Sequence, residues 1–297
     1  MAYRAELDES AGVGVRRVLE EQRAHILSIL TSWEADPATS IHRARQSCKR
    51  ARAVAQLLKP AAPYAAMVEN GFFRVIQKSV ACARDNESLV EALDFLHGGT
   101  AESPLAESVM MLREACAARA AQSLRKDHGT LGAQIDGACE QLRDAERRLA
   151  RLPIGGLRPG DLRRGAGRTW KRCVAGYLDL EPNSSAVSFH AWRRQVKYAY
   201  NQTRFLAAVH PLDVESPLRE LAATLGHCHD LELLELLLRD QSDELRIDTH
   251  VQRLRNVIRE TLQKLHGRSL EIGRSLFLSH GAPVTPAALA NETVTGL

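Results

Sequence analysis

His42-x-x-Arg45-x-x-x-Lys49 returns with the same spacing as His190-x-x-Arg193-x-x-x-Lys197. The copies begin 190 − 42 = 148 residues apart, half the length of the 297-residue chain. A side chain turns about 100° per residue on an α-helix, so offsets of 0, 3 and 7 fall on one stripe. Each copy therefore presents an imidazole and two cations in a row. Like charges so placed repel one another, and a stripe kept positive twice points to a strongly negative partner. A single copy would read as an ordinary solvated basic face. Unconstrained surface drift would not hold His, Arg and Lys in register twice, so the repeat favours function.

The rest of the chain fits helices around these two. Aromatics are only 5%, while Leu, Ala, Arg and Glu abound, a helix-favouring composition. After a loose acidic start, helical spacing covers 13–33. Ser40 is placed to cap the next helix, which carries the first motif and stops near Pro60. One long helical stretch is expected over 63–96, closed by His97-Gly98-Gly99, with further helices over 104–126 and 130–151. The segment 153–167 is rich in Gly, Pro and Arg and reads as a connector. Helices follow over 168–178, 189–209, 216–239 and 250–274, and the tail from Gly281 reads as frayed. No segment alternates with period two, so no sheet is expected.

The repeat is wider than one helix. Arg74 and Asp85 are matched by Arg219 and Asp230, each 145 residues on (219 − 74 and 230 − 85). Each half thus holds a motif helix, an Arg…Asp helix and a long basic helix, about four helices in all. The fold expected is all-α: one domain of two four-helix bundles related by a pseudo-twofold internal duplication. The halves span 10–151 and 163–275, with a connector at 152–162, a frayed tail at 276–297 and a basic central groove or pore.

Net charge is modest, +4 with a pI near 8.8, so the placement of charge matters more than its sum. Cys48, Cys82, Cys116, Cys139, Cys173 and Cys228 are scattered without zinc spacing, which suggests a reducing cytoplasm. The first 17 residues lack the apolar core of a signal peptide, and no apolar run is long enough for a membrane span. Cytoplasmic location, or a body within the cytoplasm, and no membrane partner are expected.

Around the motifs the cationic faces widen to Arg43, Arg50 and Arg52, and to Arg194 and Arg204. Guanidinium forks and lysine point charges at this density suit phosphate oxygens. His227-Cys228-His229-Asp230 invites a metal reading, but residues two apart on a helix face different ways. No metal or other cofactor is expected, and Asp230 and Asp85 read as braces for neighbouring helices or cations. Catalysis lacks a phosphate loop, a nucleophile elbow and H-E-x-x-H. The motif helices also carry no Asp or Glu over 42–59 or 189–209. Binding is favoured over cleavage. Two alternatives stay open: a protein that binds the nucleic-acid backbone, for which stacking aromatics are few (Trp170, Trp192, Tyr198, Tyr200), and a metal-dependent phosphatase or polyphosphatase.

The motifs resemble those of the CHAD family, the conserved-histidine α-helical domain. His42 to Arg52 is similar to its H-x-x-R-x-x-x-[RK]-R-x-R helix, and Phe189 to Tyr198 to the second-half version. Leu225-Gly226-His227-Cys228-His229-Asp230-Leu231 resembles its L-G-x-x-[HR]-D-L element. Ala83-Arg84-Asp85 looks like a weaker first copy, and Arg168 to Arg172 like the basic helix that opens the second half. The resemblance covers roughly residues 10 to 275. It implies two bundles around a basic groove or pore that binds inorganic polyphosphate without catalysis, with granule association and a capacity for other polyanions, nucleic acid included. The residues expected to line that channel are His42, Arg45, Lys49, Arg50 and Arg52 on one side and His190, Arg193, Arg194 and Lys197 on the other. Arg74, Lys78 and Arg219 would approach from the next helices, and Arg16, Arg17, Arg168 and Arg172 from the first helix of each half. Tyr200 stands where Arg52 would be matched, and Ala223 where Lys78 would be, so the first half is expected to dominate binding.

Overall fold

The computed structural model describes residues 3–80, 85–100, 105–210, 213–241 and 249–278, without the side chains of 85–87, 100, 240–241 and 249–250. Ten α-helices account for nearly all of it, and no strand occurs among the described residues. α1 (Ala11–Thr31) starts on Ser10, whose side chain accepts the Val13 N–H. α2 (Pro37–Leu57) starts on Asp36, which accepts the Thr39 N–H at 3.2 Å, with Pro37 in the first turn. The cap is thus Asp36 and not Ser40. Proline lacks only an N–H that the first turn leaves unpaired anyway, so it opens the helix instead of delaying it.

The same chemistry corrects the connector. Pro159 opens α7 (Pro159–Leu178), and Asp161 reaches back to accept the Arg158 N–H at 2.8 Å. The helix begins inside the segment expected to be irregular. The stretch expected as one helix over 63–96 is two, α3 (Pro63–Ser79) and α4 (Asp85–Thr100). At Val80 the backbone leaves helical geometry (φ −106°, ψ 27°), and its buried side chain joins the core under α3. Gly98 and Gly99 lie within α4 and do not end it. Their helical penalty is only about 1 kcal/mol each. α5 (Ala106–Lys126), α6 (His128–Ala150), α8 (Ala186–Leu206), α9 (Glu215–Gln241) and α10 (Thr249–Phe277) complete the chain. Arg84 and the tail from Gly281 lie outside the described residues.

Three apolar cores organise these helices. The first joins α1, α2, α3 and α6 through residues such as Leu19, Ile41, Phe73 and Leu142. The second joins α7, α8, the first part of α9 and the last part of α10 around Trp192, whose Nε1 donates to the Cys173 carbonyl at 2.9 Å. The third joins α4, α5, the last part of α9 and the first part of α10 through Leu93, Val109, Leu234 and Ile258. α9 and α10 therefore each run through two cores, and the third core adds to the two that were expected. Large side chains buried this fully stabilise the fold by about 1.5–3 kcal/mol each. Cys48, Cys116, Cys139, Cys173 and Cys228 are free and buried, acting as small apolar groups.

Residues 3–10, read as loose, also pack. Tyr3 and Ala5 are buried, and the Ala5 N–H donates to the Phe205 carbonyl at 2.7 Å. α2 crosses both α7 and α8. At Gly165 of α7 a Cβ would lie 2.2 Å from the Leu57 carbonyl oxygen, so only glycine allows that approach. Between α2 and α8 the Gln202 amide donates to the Ala53 carbonyl at 3.0 Å from a fully buried position.

Candidate polyanion-binding passage

α2 buries a face of small residues, Ala44, Ser47, Cys48, Ala51 and Val54. That leaves His42, Arg45, Lys49 and Arg52 as a stripe on another face. α8 buries Phe189, Trp192, Val196 and Ala199 and turns His190, Arg193 and Lys197 the same way. Because the two helices pack together, the stripes meet.

Two adjoining cavities result. One, of about 300 Å³, is lined by Arg45, Lys49, Arg52, His190, Arg193, Arg194 and Lys197, with Tyr198, His229 and Asp230. The other, of about 480 Å³, is lined by His42, Lys49, Arg50, Arg193, Lys197, Arg204 and Arg219, with Tyr200, Glu91 and Asp230. Lys49, Arg193, Lys197, Asn201 and Asp230 line both, so the cavities form one passage. Ten of the expected residues come together here: His42, Arg45, Lys49, Arg50, Arg52, His190, Arg193, Arg194, Lys197 and Arg219.

Six others lie elsewhere. Arg74 and Lys78 are exposed on α3 and line neither cavity. Arg16 donates to the Leu152 carbonyl at 2.9 Å. Arg17 donates to Glu9 at 2.9 Å and Glu21 at 3.1 Å, inside a local carboxylate network. Arg168 and Arg172 are exposed on α7. They lie near Lys59, whose ammonium is shifted below its ordinary pKa by burial and then by these two charges. The expected approach of each half's first helix to the channel is therefore absent.

The two motif helices contribute equal numbers of cations to the lining. α2 supplies Arg45, Lys49, Arg50 and Arg52, and α8 supplies Arg193, Arg194, Lys197 and Arg204. The stripe simply continues: Asn201 and Arg204 lie four and seven residues beyond Lys197. The loss of a cation at Tyr200 is made good one turn later. Lys78 lines neither cavity, so Ala223 does not stand in place of a lining cation of the first half.

Arg52 does more than line the passage. It donates to Asn70 (3.2 Å), Gln77 (2.8 Å) and the Tyr198 hydroxyl (2.9 Å), bracing α2 against α3 and α8. Arg45 donates to the Gln77 carbonyl at 3.0 Å. These partners are neutral, so the guanidinium charges remain unneutralised by them. The carboxylates come from other helices. Asp230 of α9 lines both cavities, and Glu91 of α4 lies 3.9 Å from the His42 imidazole.

His227 and His229 part company. His227 stacks on Phe95 with ring centres 4.2 Å apart, while His229 places Nδ1 3.3 Å from Nδ1 of His190. Burial, reinforced by Arg193, His190, Lys197 and Lys49, pushes the His229 imidazole down to about 3. Burial and then Arg193 and Arg194 lower His190. The pair is neutral at neutral pH, and its one hydrogen bond requires one ring to donate and the other to accept. No group of three or more His, Cys, Asp or Glu side chains among the described residues is arranged to hold a metal ion.

Read alone, the motif helices missed Glu91, Asn201 and Tyr198 as lining. Asn201 was findable from the stripe. Glu91 was not, because it arrives through the packing of α4.

No described helix is long and apolar enough to cross a membrane. No curated protein matches the chain. Among solved structures, the CHAD domain from the plant Ricinus communis aligns with a TM-score of 0.64 at 18% identity, covering 95% of each chain. PptA from Streptomyces chartreusis aligns at 0.56 and 14%, covering 91% of this chain and 99% of that one. At these identities the likeness establishes the all-helical fold. The family model for the CHAD domain matches residues 17–239, a span that holds every cation lining the two cavities. By that match, over a helical fold shared with a solved member, the chain belongs to the CHAD domain family.

Proposed function

We propose that the protein binds inorganic polyphosphate, without cleaving it, in the passage between α2 and α8. The observation that carries the reading is the charge balance of the lining: among the described residues, nine Lys and Arg side chains from three helices stand against two carboxylates. A linear phosphate chain is slender and offers oxygens on every side, which matches a narrow passage lined by forks and point charges. Nucleic acid fits less well. Arg52 lies over the Tyr198 ring at 5.9 Å and Arg204 over the Tyr200 ring at 5.6 Å, so a cation already competes with a base for each ring. The matching order of motif helix and following helices also supports reading the halves as a duplicated unit, and a polyphosphate-binding surface would bring the protein to polyphosphate granules in the cytoplasm.

Calorimetry with long-chain polyphosphate, against DNA of matched charge, tests the reading. Equal or tighter binding to DNA would overturn it. Phosphate release from polyphosphate with Mg²⁺ or Mn²⁺, abolished by Asp230→Asn, would overturn the non-catalytic assignment.

A further inference from the structure

Arg50 of α2 and Arg204 of α8 both line the second cavity, close enough for the Arg204 charge to act on Arg50. Burial and then Arg204 make Arg50 a weaker base than an ordinary guanidinium. Glu215 stands 4.0 Å from Arg204, and no carboxylate among the described residues pairs with Arg50. What lies against both is an aromatic ring. Tyr3 has the Arg50 guanidinium carbon 5.8 Å from its ring centre and that of Arg204 also at 5.8 Å. The Arg204 guanidinium carbon also lies 5.6 Å from the centre of the Tyr200 ring.

Tyr3 is itself fixed. It is buried, its hydroxyl donates to the Arg50 carbonyl at 3.0 Å, and its ring lies 6.3 Å from Phe205. Ala5, two residues on, is tied to the Phe205 carbonyl. The segment before α1 is thus fastened across both motif helices at the arginine pair. It also lies before residue 17, where the family match begins.

We propose that Tyr3 is a positioning residue for polyanion binding: its ring holds Arg50 and Arg204 side by side and aims their N–H groups into the second cavity. An aromatic face attracts two cations without neutralising either. A carboxylate in the same place would order them equally well but would compete with phosphate for their charge. The pair is thereby ordered before the ligand arrives, which lowers the ordering cost of binding. This rests on the polyphosphate reading for its ligand, though not for its geometry.

The test uses Tyr3→Phe and Tyr3→Leu in the full chain. Phe keeps the ring and loses only the hydroxyl, so affinity for long-chain polyphosphate should stay within about twofold of the parent. Leu keeps burial and loses the ring, and affinity should fall about fivefold to tenfold, the scale of two cation–π contacts. In an Arg50→Gln/Arg204→Gln background, Tyr3→Leu should have no further effect, which a purely structural role would not produce. An undiminished affinity in Tyr3→Leu, or a loss that adds fully to that of the arginine variants, overturns the proposal. The Nε–H NMR signals of the two arginines give a readout without ligand. They should shift in Tyr3→Leu and hold in Tyr3→Phe, and signals unchanged by Leu overturn the positioning role whether or not polyphosphate binds. If the parent ignores polyphosphate while those signals move, the ligand assignment fails and the geometry stands.

Discussion

Lys49 and Lys197 line both cavities, so their replacement by Gln is the most direct perturbation of the passage. Its effect follows from counting charges. Nine cations less Glu91 and Asp230 leaves seven, or six if Glu215 is taken to occupy Arg204. Each contact to a flexible single-stranded polyanion contributes roughly −0.7 to the slope of log K against log salt. The parent should therefore show a slope of about −4 to −5, a loss of roughly 300- to 1,000-fold between about 50 and 200 mM salt. Lys49→Gln/Lys197→Gln removes two contacts, so the slope should relax to about −3. Fluorescence anisotropy with end-labelled polyphosphate over a salt series measures both. A parent slope shallower than about −2, or a double variant with an unchanged slope, would falsify the idea that these side chains meet phosphate.

Four other expectations follow from pH and packing. Burial and then the neighbouring cations keep His190 and His229 neutral; polyphosphate should offset the cations' share, raise both imidazoles and draw in protons, so affinity should rise from about pH 7 to pH 5; calorimetry in buffers of differing ionisation enthalpy reads the uptake, and a flat profile refutes it. The empty protein should do the opposite. Unfolded histidine titrates near 6.5 and native His229 near 3, so between those values the unfolded state holds the extra proton and stability falls with pH. The loss at pH 5, discounted for partial exposure, is about 1 kcal/mol and should appear as a lower Tm. Arg148→Ala strands the fully buried Glu69 carboxylate, which Arg148 now meets with two hydrogen bonds of 3.0 Å. Urea titration should show a loss of about 2–3 kcal/mol, shrinking at acid pH as Glu69 protonates. Gly165→Ala should destabilise by about 3 kcal/mol although alanine favours helix, because the new methyl meets Leu57 backbone; a stabilised variant would contradict the α2–α7 contact.

The sequence made the motif helices legible because their chemistry is periodic. His, Arg and Lys at offsets of 0, 3 and 7 define a face, and buried small residues on α2 let that face approach α8. Helix starts at Pro37 and Pro159 are also written locally, because proline suits the first turn of a helix. Features made by assembly were not legible. Glu91 enters the passage because α4 packs on α9. Arg16 and Arg17 share the basic character of the site residues, yet the Leu152 carbonyl and Glu9 hold them elsewhere. Tyr3 belongs to no periodic pattern, so only its packing reveals what it touches.

The cross-brace at Arg52 and the buried bond from Gln202 to Ala53 hold two positive faces together before any anion is present. The fold therefore works against its own charges, and neutral residues in place of lining cations that brace no helix should raise its stability. Function and stability pull in opposite directions on the same side chains. Substitutions that make the passage less positive would be favoured by selection for a sturdier fold alone. On the polyphosphate reading, a bound anion offsets the repulsion that folding has locked in, so ligand and fold together account for cations on both motif helices.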